Sequence, residues 1–429
     1  DSITHAGTYP YWIELYYVTR FPAQPLQVIN AGISGDTAEG AMKRFAWDIA
    51  AGRPTVASVM LGMNDVGRSL YGANPPGGVS EEKRRERIAT HEAKMRELVV
   101  ALQALGAKVV LITPSIYDET AELKEQANEG VNEVLRQFAA FDRRLAAETG
   151  AALVDFHGPM DRLTFELQKT DPKATIVGAD RIHPGAAGHL YLASLWLKAQ
   201  GAPAIVSRTV IDAADRRVVA AERGKVEKLR KRFNGVQWRW TAEALPFPVD
   251  AEAKAALAWA PFHEELNREI VQVTGLKPGH YLLQIDEVDV RAYSSEELAA
   301  GVNLALESST PQARQAAQVA RLLKDRQNLI AENLRRIAQV EHQTAPDIAH
   351  PVTLAQMEPL IARRVELLRG TTASAGTFTT LERYAKLKPA EAKTRAETEQ
   401  LLASARRLAV PVRHEYRLVR MDESGGAAK

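Results

Sequence analysis

The sequence predicts an α/β protein in which a parallel central sheet is followed by an α+β extension. Over about the first 200 residues, short apolar and β-branched runs alternate with helical patterns. After about residue 203 this alternation gives way to a few strand-like segments and long helical ones. Alternating strands and helices favour a parallel sheet covered on both faces, with the functional site at the carboxyl ends of the strands.

The elements of the first part follow from these runs in order. Buried strands are predicted at 27–30, 55–61, 108–112 and 152–156. Helices are predicted at 38–50, 82–105, 119–149 and 184–199. Pro184 suits the first position of the last helix, because proline lacks the N–H that is unpaired there. The opening residues, Asp1 to Thr4, are interpreted as the end of a further strand whose earlier residues precede Asp1.

The extension is predicted to hold strands and long helices. The strands are expected at 205–212, 281–291 and 412–419, and the helices from Pro311 onward, at 353–368 and at 390–408. Leu323, Ile330 and Ile337 recur every seven residues and require a partner surface, either another helix or a second copy of the chain. No flexible linker precedes the extension, so we expect domains at 1–202 and 203–429 that pack together, with the extension bordering the site.

Composition excludes several classes of function. The chain has 429 residues, 45% of them apolar, which is typical of a folded protein with a large core. Lys and Arg number 55 against 53 Asp and Glu, so charge predicts no nucleic-acid partner. Cysteine is absent, which excludes disulfides and thiolate metal sites. No apolar run is long enough for a membrane span, and no cofactor or metal motif is present.

Four short blocks carry the chemistry. A serine needs an imidazole to take its proton, and the imidazole needs a carboxylate to orient it, so Ser2, His183 and Asp180 are the predicted catalytic residues. The Ser2 N–H, the Gly35 N–H and the Asn64 amide are the predicted oxyanion donors. Each block alone is usually a turn or a helix cap, and only their conjunction near strand ends indicates a hydrolase. The blocks are Asp1–Thr4, Gly32–Thr37, Gly62–Asp65 and Asp180–Pro184.

Together these blocks resemble those of the SGNH hydrolases, also called GDSL esterases and lipases. The resemblance spans about residues 1 to 200 and implies a three-layer, flavodoxin-like fold. By position it assigns Ser2 as nucleophile, Gly35 and Asn64 as oxyanion donors, His183 as base and Asp180 as its orienting acid. The family's glycine before Asp-Ser and its first strand would lie before Asp1, as would any signal peptide, so a secreted or periplasmic location stays open.

The surroundings of the blocks resemble the bacterial carbohydrate-esterase branch of that family. This resemblance implies a serine esterase that works without a cofactor, removing short acyl groups such as acetyl from a small-molecule or glycan ester. Two alternatives stay open: a general short-chain esterase or lysophospholipase, and an inert SGNH fold that binds a glycan or a protein. The other histidines show no metal-ligand spacing, and Asp36 and Asp65 are interpreted as acceptors that order their loops.

Overall fold

The structure, a computed structural model, describes residues 1–72, 81–232, 234–371 and 375–422. By its contacts the chain forms two compact units. Unit 1 comprises residues 1–10, 28–199 and 327–398, and unit 2 comprises residues 11–27, 200–326 and 399–422. Each unit combines segments from both sides of residue 202, and a functional boundary there stays a prediction.

The described residues form helices and strands, numbered here in chain order. The helices are α1 Ser2–His5, α2 Thr8–Arg20, α3 Ala38–Lys43, α4 Glu81–Ala104, α5 Val131–Thr149, α6 His157–Gln168, α7 Ala186–Ala199, α8 Phe262–Leu266, α9 Ser295–Ala300, α10 Pro311–Leu329, α11 Arg335–Thr344, α12 Leu354–Leu368, α13 Ala375–Leu387 and α14 Glu391–Leu408. The strands are β1 Val56–Val59, β2 Lys108–Ile112, β3 Ala152–Val154, β4 Ile205–Asp212, β5 Arg217–Glu222, β6 Gly224–Arg232, β7 Gly235–Ala242, β8 Arg268–Thr274, β9 His280–Ile285, β10 Val288–Ser294, β11 Val302–Asn303 and β12 His414–Arg420. None of the helices in these described ranges is long and apolar enough to cross a membrane.

Unit 1 is built on the predicted parallel sheet, which the structure confirms. Its strands lie in the order β1-β2-β3, with Val110 of β2 opposite Ala152 of β3. Residues 109–112 of the central strand β2 are all buried, although successive side chains point to opposite faces, so both faces are covered at this strand. The flanking strands, also predicted to be buried, are partly exposed, as at Val56 of β1. Apolar side chains of α4 and α5, among them Leu98 and Leu145, form one core with β1 and β2.

Two predicted strands of the first part are absent from the described structure. Residues 2–5 form the helix α1, because the Asp1 carboxylate accepts the Ile3 N–H at 3.0 Å and so caps a helical turn. Residues 27–30 form no strand, and Ile29 stays exposed. Instead, the Asn30 side-chain amide donates to the Thr4 carbonyl at 2.8 Å and ties this segment to α1.

The predicted helix at 119–149 begins only at Val131. The residues before it wrap around the guanidinium of Arg181, which donates to the carbonyls of Asp118, Ala121 and Glu125. These carbonyls point at a side chain, so they are not available for helical hydrogen bonds. The predicted helix at 38–50 is α3 followed by a wider helical turn at 45–49, and α7 begins at Ala186, two residues after Pro184.

Unit 2 confirms the predicted α+β character of the extension. A five-stranded sheet has the order β10-β9-β12-β7-β6, and a four-stranded sheet has the order β11-β8-β4-β5. The predicted strand 281–291 is the antiparallel pair β9 and β10. Both sheets contribute to one core, in which Trp238 and Leu283 of the larger sheet share a cluster with Ile211 and Val273 of the smaller one.

The helices α11 to α13 belong to unit 1 and form a small core of their own. Ile337, at the end of the predicted heptad series, is buried there with Met357, Leu381 and Tyr384. A wider helical turn at 330–334 separates α10 from α11. The partner surface expected for Ile337 is therefore supplied by α12 and α13 of the same chain.

Candidate active site

Ser2 lies at the start of α1, where the capped turn fixes its backbone. Ile3 and His5 point into the protein, whereas Ser2 is only partly buried. The Ser2 Oγ lies 2.7 Å from Nε2 of His183, a residue 181 positions further along the chain. The structure thus brings the predicted nucleophile and the predicted base into direct hydrogen-bond contact.

Asp180 holds the other side of the His183 ring. Its Oδ2 lies 2.5 Å from His183 Nδ1, and its Oδ1 accepts the backbone N–H groups of Ile182 at 3.1 Å and His183 at 3.0 Å. A carboxylate can only accept, so Nδ1 carries a proton; in the neutral form of the ring, Nε2 can then accept the proton of the Ser2 hydroxyl. Burial acts to raise the pKa of Asp180, but the hydrogen bonds from His183 and Ile182 outweigh it and hold the pKa below its ordinary value.

The loop that carries Asp180 and His183 is closed on itself. The Gly178 N–H donates to the His183 carbonyl at 2.7 Å, and Val177 pairs with Pro184. Arg181 has a left-handed backbone, with φ of 66°, and its buried guanidinium anchors the loop to the carbonyls that precede α5. The Asp180 and His183 side chains stay about half exposed, at 50% and 45%, so they are accessible from solvent.

Gly35 lies on a loop that packs against α1. The Ser34 N–H donates to Nδ1 of His5 at 3.0 Å. A Cβ on Gly32 would lie 2.4 Å from the backbone nitrogen of His5, so only glycine permits the loop to approach α1 this closely. Gly35 itself has φ of 81°, which also favours glycine. In the described part of the chain, neither the Gly35 N–H nor the Ser2 N–H donates to a protein acceptor.

Asn64 follows β1 and reaches the same loop. Its Nδ2 donates to the Asp36 carbonyl at 2.9 Å, while Arg68 donates to its Oδ1 at 3.3 Å. These two contacts fix the orientation of the amide and leave its second N–H for another acceptor. Asp65 accepts the N–H groups of Ala38 and Gly62, which is the loop-ordering role expected from the sequence.

The Asp36 carboxylate also orders its loop. Arg44 donates to its Oδ2 at 2.8 Å, and His342 Nε2 lies 3.3 Å from its Oδ1. Burial acts to raise the pKa of Asp36, but His342 and Arg44 outweigh it and lower the pKa. A Cβ on Gly40 would lie 2.0 Å from this carboxylate. The sequence indicates such a role for Asp36, but His342 could not be foreseen as its neighbour.

Two further residues position the site and were not predicted. His5 accepts from Ser34 through Nδ1 and lies 3.0 Å from the Ala331 carbonyl through Nε2, so both ring nitrogens are used. Burial and the nearby arginines lower its pKa to about 3, which keeps the ring neutral. Arg335 donates to the Gly32 carbonyl at 3.0 Å and to both carboxylate oxygens of Asp48 at 2.7 Å. The sequence gives one signal for His5, its place three residues after Ser2.

Part of the chain matches a known protein family. Residues 1–190 match the model of the GDSL-like lipase/acylhydrolase family. An acetylxylan esterase of Geobacillus stearothermophilus is 29% identical over 188 residues, which are 44% of this chain and 78% of that protein. The solved structure of Axe2, an acetylxylan esterase from the same organism, is 28% identical, with a TM-score of 0.37 over 45% of this chain and 81% of that one.

A further solved structure matches almost the whole chain. It is that of BT4096, described as a gut microbial diltiazem-metabolizing enzyme, and it is 31% identical. The match covers 98% of this chain and 96% of that one, with a TM-score of 0.88. The similarity therefore includes the extension as well as the region of the four blocks. The chain is a carboxylic ester hydrolase related to acetylxylan esterases, and it belongs to the GDSL-like, or SGNH, hydrolase family.

Proposed function

We propose that the protein is a serine esterase that removes short acyl groups, acetyl above all, from carbohydrate hydroxyl groups. Ser2 is the nucleophile, His183 the general base and Asp180 the residue that orients it. The observation that carries this proposal is the continuous pair of contacts, 2.7 Å from Ser2 Oγ to His183 Nε2 and 2.5 Å from His183 Nδ1 to Asp180 Oδ2. A serine hydroxyl becomes an effective nucleophile when such a base takes its proton.

The reaction runs in two balanced steps. The Ser2 oxygen attacks the ester carbonyl while His183 takes its proton, and the same proton then passes to the departing sugar oxygen. A water molecule next loses a proton to His183 and attacks the acyl-enzyme; His183 then returns that proton to the Ser2 oxygen, which leaves as the carboxylic acid is released. The negative oxygen formed in each step is stabilised by the Ser2 and Gly35 N–H groups and the second N–H of Asn64.

Activity towards an activated ester tests the nucleophile directly. The wild-type enzyme is expected to hydrolyse 4-nitrophenyl acetate, and Ser2→Ala is expected to lose nearly all turnover, because the hydroxyl is the covalent acceptor. Ser308→Ala, which changes an exposed serine of unit 2, is the matched control and should keep full activity. A fluorophosphonate reagent should add to the wild type and to Ser308→Ala but not to Ser2→Ala. Substantial activity in Ser2→Ala would disprove the assignment.

The acyl and alcohol parts of the substrate require a second experiment. The similarity to an acetylxylan esterase supports the proposal that the substrates are acetyl esters of sugars. We expect kcat/KM to fall as the acyl chain lengthens from acetyl to octanoyl, and acetylated xylooligosaccharides to lose acetate in a Ser2-dependent reaction. Preferential hydrolysis of a lysophospholipid would favour the lysophospholipase alternative. Binding of glycans without turnover of any ester would favour the inert binding module.

A further inference from the structure

A cavity of about 260 Å³ lies among α11, α12 and α13 of unit 1. Its polar lining consists of two arginines, two glutamines and two threonines. They are Arg336, Gln339, Gln343, Arg364, Thr377 and Thr380. None of the described lining residues is acidic, so the cavity presents two guanidinium groups together with neutral groups that form hydrogen bonds.

Arg364 has no counter-ion in the described part of the chain. No carboxylate there lies within ion-pair distance, and its buried Nε has no hydrogen-bond partner. Burial lowers the pKa of Arg364, and no acidic neighbour among the described residues offsets that effect. Among the described residues, Arg336 contacts one carboxylate, that of the half-exposed Glu332 at 3.4 Å, and donates a hydrogen bond to Gln339. A partly buried cation without a partner is costly, and a bound anion would remove that cost.

The cavity is adjacent to the loop that carries Gly35. Gln343 lines the cavity and also donates to the Ser34 carbonyl at 2.9 Å. A Cβ on Gly35 would lie 3.6 Å from the same Gln343 nitrogen. A group bound in the cavity would therefore lie beside the loop of Gly35, one of the donors proposed for the oxyanion, and the non-reacting part of a substrate could extend in that direction.

From these observations we propose that the cavity is a subsite for a carboxylate-bearing sugar ring, a uronic acid, in the ester substrate. That the bound sugar is part of a substrate rests on the proposed esterase function; that the cavity binds such a sugar does not. Guanidinium groups recognise carboxylates through paired hydrogen bonds, and the amides and hydroxyls suit the hydroxyl groups of a sugar. The smallest pockets that hold a whole drug-sized ligand have a volume of ~300 Å³. This cavity is slightly smaller, a size that suits one ring of a longer sugar chain.

Direct binding in an inactive background tests the subsite independently of catalysis. We would titrate full-length Ser2→Ala with methyl glucuronoside, methyl glucoside and sodium sulfate by calorimetry. Charge-assisted hydrogen bonds predict that the glucuronoside binds at least about tenfold more tightly than the glucoside. Adding Arg364→Gln should abolish that difference, and Arg336→Gln should reduce it. Arg363→Gln, which changes an exposed arginine next in sequence, should leave it unchanged.

Several results would overturn the proposal. Equal binding of glucoside and glucuronoside, no saturable binding of glucuronoside, or undiminished binding in Arg364→Gln would each exclude a carboxylate subsite at this cavity. Sulfate binding as tightly as the glucuronoside would exclude recognition of the sugar. Circular dichroism and melting temperature would verify that Arg364→Gln and Arg336→Gln remain folded.

Kinetics separate a failure of the subsite from a failure of the esterase. For an acetylated glucuronoxylo-oligosaccharide and its carboxyl-reduced form, we expect the acidic substrate to have a KM at least about tenfold lower, and Arg364→Gln to remove the difference. Turnover of 4-nitrophenyl acetate by Arg364→Gln should match the wild type. Ser2-dependent turnover without any preference for the acid would overturn only the subsite. Glucuronoside binding without Ser2-dependent turnover would support the subsite and overturn the esterase.

Discussion

Removal of Arg335 should destabilise unit 1 and slow catalysis, because this side chain anchors the loop that carries Gly35. Arg335 is 7% exposed and forms a two-pronged ion pair with Asp48, with both distances at 2.7 Å. Its Nε also donates to the Gly32 carbonyl. Arg335→Ala leaves the Asp48 side chain, which is 9% exposed, with Arg44 at 2.5 Å as its one remaining ion-pair partner among the described residues. The loop loses its hydrogen bond at the same time.

The size of the effect can be worked from Asp48. Burial raises its pKa, but Arg335 and Arg44 outweigh this and lower it from 3.8 to about 2. At 1.36 kcal/mol per unit, this shift corresponds to about 2 kcal/mol of stability, shared between the two arginines. Loss of one partner from a buried pair typically costs about 3–5 kcal/mol. Because Arg44 remains, we expect a loss near the lower end, about 3 kcal/mol in the free energy of unfolding.

Urea unfolding and steady-state kinetics would measure the two consequences. The kcat for 4-nitrophenyl acetate, at a temperature where the variant is folded, should fall about ten- to a hundredfold as the loop loses its position. Arg335→Lys should have a stability and a kcat between those of the wild type and Arg335→Ala, because lysine keeps the positive charge but cannot donate to both oxygens of Asp48 as the guanidinium does. The control is Arg383→Ala, which breaks an exposed pair with Glu332 and should cost no more than about 1 kcal/mol. An Arg335→Ala variant as stable and active as Arg383→Ala would refute this reasoning.

Substitutions at Asn64, Asp180, His183 and Glu269 test the site and the stability of unit 2. Asn64→Ala should lower kcat by roughly 10²–10³ with little change in KM, and Asn64→Asp should be worse, so an active Asn64→Asp enzyme would contradict the oxyanion role. Asp180→Ala should reduce kcat less than His183→Ala, and the reverse order would count against Asp180 as the orienting acid. Burial raises the pKa of Glu269 from 4.5 to about 7, so between these pH values the folded protein keeps a proton that the unfolded chain has lost. The free energy of unfolding should therefore fall by up to about 3 kcal/mol as the pH rises through that range. Glu269→Gln should remove this dependence, and equal melting temperatures of Glu269→Gln and the wild type near pH 8 would exclude it.

The sheet and the four blocks could be predicted because both depend on local sequence. The apolar runs of β1 and β2 lie between helical patterns, and a run such as β2, which is buried on both faces, needs no alternation to be recognised. The blocks are short and lie close to strand ends or helix starts. The structure brings Ser2, Asp180 and His183 into contact, although the roles assigned to them stay proposals until the variants are measured.

The error at 1–4 has a local cause, whereas the error at 27–30 has a tertiary one. Asp-Ser-Ile-Thr is compatible with a strand end and with a capped helical turn, and the contact of the Asp1 carboxylate with the Ile3 N–H decides for the turn. The β-branched residues within 27–30 suggest a strand, but the Asn30 side chain donates a hydrogen bond to the Thr4 carbonyl in α1. Short apolar runs leave this choice to tertiary contacts.

The residues that position the Gly35 loop from α11 could not be predicted, because about 300 positions separate them in sequence. In the sequence alone, Arg335 and Arg336 look alike, as two adjacent charged residues of one helix. Neighbours in a helix point about 100° apart, so these two arginines have different surroundings. Arg335 holds Asp48 and the Gly32 carbonyl, while Arg336 lines the cavity. One helix therefore contributes both to the geometry of the proposed oxyanion loop and to the proposed recognition of a substrate carboxylate, which explains why neither role is visible within residues 1–190 alone.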